Sequence, residues 1–251
     1  MKNIWSREET AVAVKLYCEI PFSKVSKNNI KIVEVSRKIG RTPSSLSMKI
    51  GNIGRLDPEL KIKGISGLKN GAKLEQEVWN EFKANPDSFS FKVETFLDKC
   101  ANNTENRLNN LPLGGEKNVL TKQRVNQDFF RNAVLSAYNY SCCISGLGIS
   151  ELLEACHIIE WSDNVQNRTN PKNGLCMNSL FHKAYDKNFI GISPDYKIII
   201  SDRMMDESSD KFREFLKSLN GQKIKMPYRF LPEKDFLKIK YDKFCQGVGQ
   251  K

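Results

Sequence analysis

The chain of 251 residues holds two histidines, and both fall in one short window, His157 to His182. An imidazole titrates near neutral pH, so it can take a proton from water and pass it on. His157 lies in Leu153-Glu154-Ala155-Cys156-His157-Ile158-Ile159-Glu160-Trp161, whose loose apolar alternation predicts a strand over 152–159. Asn173-Gly174-Leu175-Cys176-Met177 follows, and then Leu180-Phe181-His182-Lys183-Ala184-Tyr185-Asp186. A short helix is predicted over 178–185, which puts His182 and Asp186 one turn apart on one face. An imidazole and a carboxylate so placed suit Mg²⁺, Mn²⁺ or Zn²⁺, with water and phosphate oxygens completing the shell. An acid at a helix C-terminus is disfavoured by the dipole by roughly 0.3–1 kcal/mol, and a bound cation offsets that. A base beside a cation is what phosphodiester hydrolysis needs. One strips a water of its proton, and the other offsets charge on the phosphate and the departing oxygen.

Other elements must hold these residues. A helix is predicted over 127–140, with Phe130, Val134, Leu135 and Tyr138 inward. Beyond Asp186, strands are predicted over 190–192 and 197–200, joined by a turn at Ser193-Pro194-Asp195, and a helix over 210–219. The remaining C-terminal stretch reads as irregular and basic, with no chemistry in it. The N-terminal part reads as helical. Ser6 and Glu9 form a capping box ahead of Val12, Leu16 and Tyr17, and Pro21 ends that helix. Ile32, Val35, Ser36 and Ile39 give a second helix stopped by Gly40. Thr42 as N-cap and Pro43 at the first position start a third. Helix, short glycine turn, helix is a helix-turn-helix pattern. A further helix is predicted over 72–82, with Leu74, Val78, Trp79 and Phe82 inward. The polar run through Asn102-Asn103-Thr104-Glu105-Asn106 and Gly114-Gly115 reads as a linker.

Charge narrows the partners. Lys and Arg number 40 against 29 Asp and Glu, a net charge of +11. An acidic partner is implied, and nucleic acid is the first candidate. Between Lys24 and Lys73 there are 12 basic and 3 acidic residues, an excess of 12 − 3 = 9. The third helix shows Ser44, Ser45 and Lys49 on its polar side, with Arg41 just before it. Small hydroxyls and bases can approach base edges and phosphates, although a basic bundle with no groove contact fits the same counts. No apolar run approaches the roughly 18 residues of a spanning helix, and the start has no secretory h-region. Seven scattered Cys, an odd number with no CxxC pair, fit reduced thiols in the cytoplasm.

Four motifs, at Cys143–Gly146, Ala155–Trp161, Asn170–Leu175 and His182–Asp186, have the forms C-x-[ST]-G, A-x-H-I-x-x-W, N-x-x-N-G-L and H-x-x-[FY]-D. Together they resemble the HNH, or ββα-metal, nuclease family, in its restriction-endonuclease-like branch. The Trp-Ser-Arg-Glu-Glu start and the Gly-Arg-Thr-Pro-Ser-Ser turn are more loosely similar to such enzymes. The resemblance implies His157 as general base, Asn173 as the residue that pins the loop and orients that base, and His182 as third member of the catalytic set. It also implies a divalent ion, Mg²⁺ first, on His182 and Asp186. Two features depart from the family. Many relatives carry Asp or His as a metal ligand where Cys156 stands, and thiolate is a poor partner for a hard cation. Either the site has fewer protein ligands, or Glu154, Glu160 or Asp163 helps. Many relatives also carry two CxxC knuckles for structural zinc; Cys142, Cys143 and Cys176 do not make that set, so no zinc knuckle is expected. Arg168 is a candidate phosphate contact or a solvated loop residue.

The expectation is an α+β protein. It comprises a helical, helix-turn-helix-like DNA-binding domain over 1–83, a linker over 84–123, and a ββα-metal HNH nuclease domain with a C-terminal extension over 124–251. The expected function is metal-dependent cleavage of foreign double-stranded DNA by a cytoplasmic restriction endonuclease. The expected assembly is a homodimer, with a cognate DNA methyltransferase acting on the same site and no membrane. A DNA-binding regulator with a degenerate nuclease module is the rival reading. A modification-dependent or homing-type nuclease is the other.

Overall fold

A computed structural model of the chain describes residues 4–65, 73–105, 122–161 and 167–248. Asp163 and the 106–121 part of the expected linker lie outside the described residues. The fold is α+β, with two compact units, Met1–Ala133 and Val134–Lys251.

The first unit is helical. Helix α1 (Arg7–Glu19) starts with the capping box, Ser6 accepting from the Glu9 amide and the Glu9 carboxylate accepting from the Ser6 amide. Its residues from Val12 to Glu19 are all buried, so α1 is the core around which the unit is built. Helix α2 (Ile30–Lys38) is capped by Asn29 and ends before Gly40, whose φ of +69° favours glycine. Helix α3 (Pro43–Ile53) has Thr42 as N-cap and Pro43 in its first turn. A short helix α4 (Pro58–Ile62) and α5 (Lys73–Ala84) follow. Tyr17 donates to the buried Asp57 at 2.5 Å, and its ring meets Trp79 edge-on at 5.5 Å.

Residues 86–105, expected as linker, instead form a long helix, α6 (Pro86–Glu105). Phe89, Val93 and Leu97 repeat at helical spacing and are buried, and Ser90 donates to Asn126 inside the unit. The polar Asn-rich tail masks this apolar stripe in the sequence. Helix α7 (Lys122–Ala137) begins earlier than its periodicity suggests, and the boundary between the units falls within it.

The second unit carries strands β1 (Leu153–His157) and β2 (Gly174–Asn178), paired antiparallel with His157 opposite Gly174. Helix α8 (Ser179–Asp186) follows β2 directly, capped by Asn178, which accepts from the Phe181 amide. Two strands and a helix in this order make a ββα unit. The Cys143–Gly146 turn braces its corner. Ser145 Oγ accepts from Asn178 Nδ2, and the Cys143 amide donates to the Cys176 carbonyl at 2.7 Å. A second hairpin, β3 (Ile190–Ile192) with β4 (Ile198–Ile200), precedes α9 (Asp202–Asp206) and α10 (Asp210–Leu219).

The C-terminal stretch is not irregular: it ends in helix α11 (Lys234–Val248). Leu237, Lys240 and Phe244 form its inward stripe, and the lysine in the middle hides the apolar repeat. Phe244 lies so close to Gly191 that a Cβ there would meet its ring at 2.6 Å. Among the described residues, no helix is long and apolar enough to cross a membrane.

Candidate active site

His157, Asn173, His182 and Asp186 are brought together by the ββα unit. His157 ends β1, and its Nε2 donates to the Arg168 carbonyl at 2.8 Å. A carbonyl only accepts, so Nε2 carries the proton and Nδ1 carries the lone pair. Burial pushes the imidazole below its ordinary pKa of 6.5, outweighing the hydrogen bond to the Arg168 carbonyl, which favours the charged form. The ring is therefore neutral at pH 7, in the form that accepts a proton. Trp161 meets it edge-on at 5.7 Å.

Asn173 is buried and acts on the loop that follows His157. Its Oδ1 accepts from the Ile159 amide at 2.8 Å, and its Nδ2 donates to the carbonyls of Ile159 at 3.0 Å and Asn167 at 3.2 Å. Asn167 precedes Arg168, whose carbonyl holds His157. The amide thus fixes both ends of the loop that orients the imidazole. It is a positioning residue. Asn173→Ala leaves the buried Ile159 amide without its acceptor, a desolvation cost of about 1–3 kcal/mol. Urea unfolding should show a loss of that size. Arg168 itself is committed to the same loop, with Nε on the Trp161 carbonyl at 2.7 Å and the guanidinium over the Trp161 ring.

The metal-ligating types converge from two elements. Residues two apart on a strand share a face, so Glu154 and Cys156 both look from β1 toward α8. Residues four apart on a helix share a face, so His182 and Asp186 look back. Glu154 Oε2 accepts from His182 Nδ1 and its Oε1 from Ser179 Oγ. His182 Nε2 faces Asp186 Oδ2 at 3.3 Å. The Cys156 sulfur, a ring nitrogen of His182 and a carboxylate oxygen of Asp186 all lie within 4.8 Å of one another. Asp186 is also the last residue of α8, where the helix dipole favours a cation. The donor set fits a divalent ion. A carboxylate on the far nitrogen of a ligating histidine is the usual arrangement for fixing its tautomer.

Glu154 is one of the three carboxylates that the sequence leaves open, and its alternation with Cys156 along β1 is the signal that selects it. Lys240 of α11 is not among the site residues expected from the sequence. It is buried, its ammonium lies 5.2 Å from the Tyr185 ring centre, and among the described residues no carboxylate is within ion-pair distance. Nothing local in the sequence links it to the cluster.

The residues expected at a DNA surface in the first unit are divided. Ser44 is exposed at the start of α3 and Ser45 is half-buried. Arg41 and Lys49 are held within the unit: Arg41 pairs with Glu9 at 2.6 Å and Lys49 with the buried Glu75 at 2.7 Å. Both also lie over the Trp5 ring. The exposed bases near α2 and α4 include Lys24, Lys27, Arg37, Lys38, Lys61 and Lys63.

Residues 142–193 match the family model described as HNH endonuclease. This segment is the ββα unit with its bracing turn, and the second unit therefore contains an HNH endonuclease domain. No protein with a curated description matches the chain.

Proposed function

We propose that this protein is a divalent-metal-dependent DNA endonuclease that restricts foreign double-stranded DNA in the cytoplasm. The observation that supports it best is the neutral His157 beside the Cys156, His182 and Asp186 cluster, within the segment that matches the HNH endonuclease family.

In this reading His157 Nδ1 takes a proton from water as the water oxygen bonds to phosphorus. The opposite P–O ester bond breaks, and the departing oxygen gains a proton from solvent. His182 and Asp186 would hold a divalent cation, which would supply charge stabilisation on the phosphate and on the departing oxygen. Asn173 keeps the loop closed, so that the Arg168 carbonyl holds His157 in one tautomer. Glu154 holds His182 in the tautomer that offers Nε2.

The first unit supplies DNA affinity through its exposed bases, with α3 as the groove-facing helix and Ser44 and Ser45 at its start. Neutralised phosphates release counterions, so binding should weaken linearly in log–log salt plots, by about 0.9 per phosphate contacted. Replacing both Arg37 and Lys38 by Glu should flatten that slope by about 2. Fluorescence anisotropy on a duplex checks this, and an unchanged slope would remove the α2 bases from the interface.

The active form is a homodimer. The chain carries one His-Asn-His set, and a restriction role breaks both strands at one locus; a two-fold pair of subunits on a palindromic site meets that need. Wild-type protein should convert supercoiled plasmid to linear product and scatter light as a dimer on a short duplex. Nicked circles from a monomer would exclude both the dimer and the restriction role. A cognate methyltransferase on the same site protects the host, so methylated DNA is the control substrate.

A further inference from the structure

We infer that the Cys156 sulfur is the third protein ligand of the metal centre, and that the resident ion belongs to the thiophilic class of Zn²⁺ and Co²⁺ rather than being Mg²⁺. The inference rests on reading the Cys156, His182 and Asp186 cluster as the centre of the proposed nuclease.

Position is the first argument. Cys156 and Glu154 share one face of β1, and α8 lays His182 and Asp186 against that face. The sulfur is 3.9 Å from Asp186 Oδ1 and 3.6 Å from its neighbour's carbonyl, His157 O. Both contacts are long even for a thiol, and Cys156 is fully buried. The three donor atoms lie within 4.8 Å of one another. Zinc bonds of about 2.3 Å to sulfur and 2.0–2.2 Å to nitrogen and oxygen put tetrahedral donors roughly 3.5 Å apart, and the Cys156–Asp186 and His182–Asp186 pairs stand at 3.9 and 3.3 Å.

Chemistry is the second. Mg²⁺ demands oxygen ligands in near-ideal octahedral order, and this set offers one carboxylate. Thiolate, imidazole and carboxylate with a position left for water make a three-ligand catalytic zinc pattern. Binding replaces the thiol proton, which leaves to solvent.

Charge balance is the third. Thiolate and carboxylate together carry −2, which a divalent ion cancels. Glu154 behind His182 then adds −1, and Lys240 supplies +1. Lys240, its ammonium 5.2 Å from the Tyr185 ring centre, has no carboxylate within ion-pair distance among the described residues.

The test is Co²⁺ titration of the full chain, in a Cys245→Ser background that removes the exposed thiol. Wild type should develop a near-ultraviolet sulfur-to-cobalt charge-transfer band that saturates at one ion per chain. Cys156→Ser should lose the band. Its Zn²⁺ affinity should fall by at least the roughly 10–100-fold that loss of an outer-shell partner costs. Cys156→Asp should lose the band and accept Mg²⁺ or Mn²⁺ instead. Calorimetric Co²⁺ binding without the band in wild type overturns the inference, whether or not the variants fold. So does a band that survives in Cys156→Ser. DNA cleavage with Mg²⁺ and no band would sink the ligand assignment while leaving the nuclease reading in place. A band without cleavage by any ion would do the reverse.

Discussion

His157→Ala is expected to lower DNA cleavage by about 10²–10⁴-fold, the usual worth of a positioned general base. The size follows from how completely the fold prepares this ring. The Arg168 carbonyl takes the Nε2 proton, leaving the lone pair on Nδ1. Burial keeps the ring neutral, and Trp161 limits its rotation. Alanine removes the base without touching Cys156, His182 or Asp186, so metal and DNA binding should stay near wild type. Single-turnover cleavage and anisotropy separate the two effects. Near-normal cleavage would remove His157 from the mechanism, and loss of DNA binding in parallel would point to a structural role.

His182→Ala and Asp186→Ala should each abolish measurable cleavage at ordinary ion concentrations, because each removes a donor from a set of three. The expected loss of metal affinity exceeds the roughly 10–100-fold seen for outer-shell partners. Glu154→Gln gives a graded control. It keeps an acceptor for His182 Nδ1 and loses only the charge, so its effect should fall within that outer-shell range. Calorimetry with Mn²⁺ or Zn²⁺ reads all three. If both alanine variants bind the ion as wild type does, the ion sits elsewhere. If Glu154→Gln matches His182→Ala, Glu154 is itself a ligand.

Much of this arrangement was legible in the sequence because it is written locally. Ser6 with Glu9, Thr42 with Pro43, and Gly40 each mark a helix end within a few residues, and α1, α2 and α3 begin or stop there. His182 and Asp186 are one helical turn apart, so their common face needed only the periodicity of α8. What escaped depends on distance along the chain. Arg41 and Lys49 look like free bases in a basic stretch, yet their acids, Glu9 and Glu75, lie 32 and 26 positions away. Glu154 reaches His182 across 28 positions through strand-to-helix packing. Helices α6 and α11 were hidden by polar residues within or after their apolar stripes. In α11 the hidden residue is Lys240, the cation near Cys156.

The proposed function stands or falls on whether one centre, built by His157 and the cluster on β1 and α8, hydrolyses DNA. The most direct measurement is incubation of purified protein with unmodified and modified phage DNA, with Mg²⁺, Mn²⁺ or Zn²⁺ in turn and with chelator, beside His157→Ala. Discrete fragments that need a divalent ion and vanish in His157→Ala are the predicted result. DNA that stays intact under every ion, while the protein still binds it, would contradict the claim and identify a DNA-binding protein with an inactive nuclease domain.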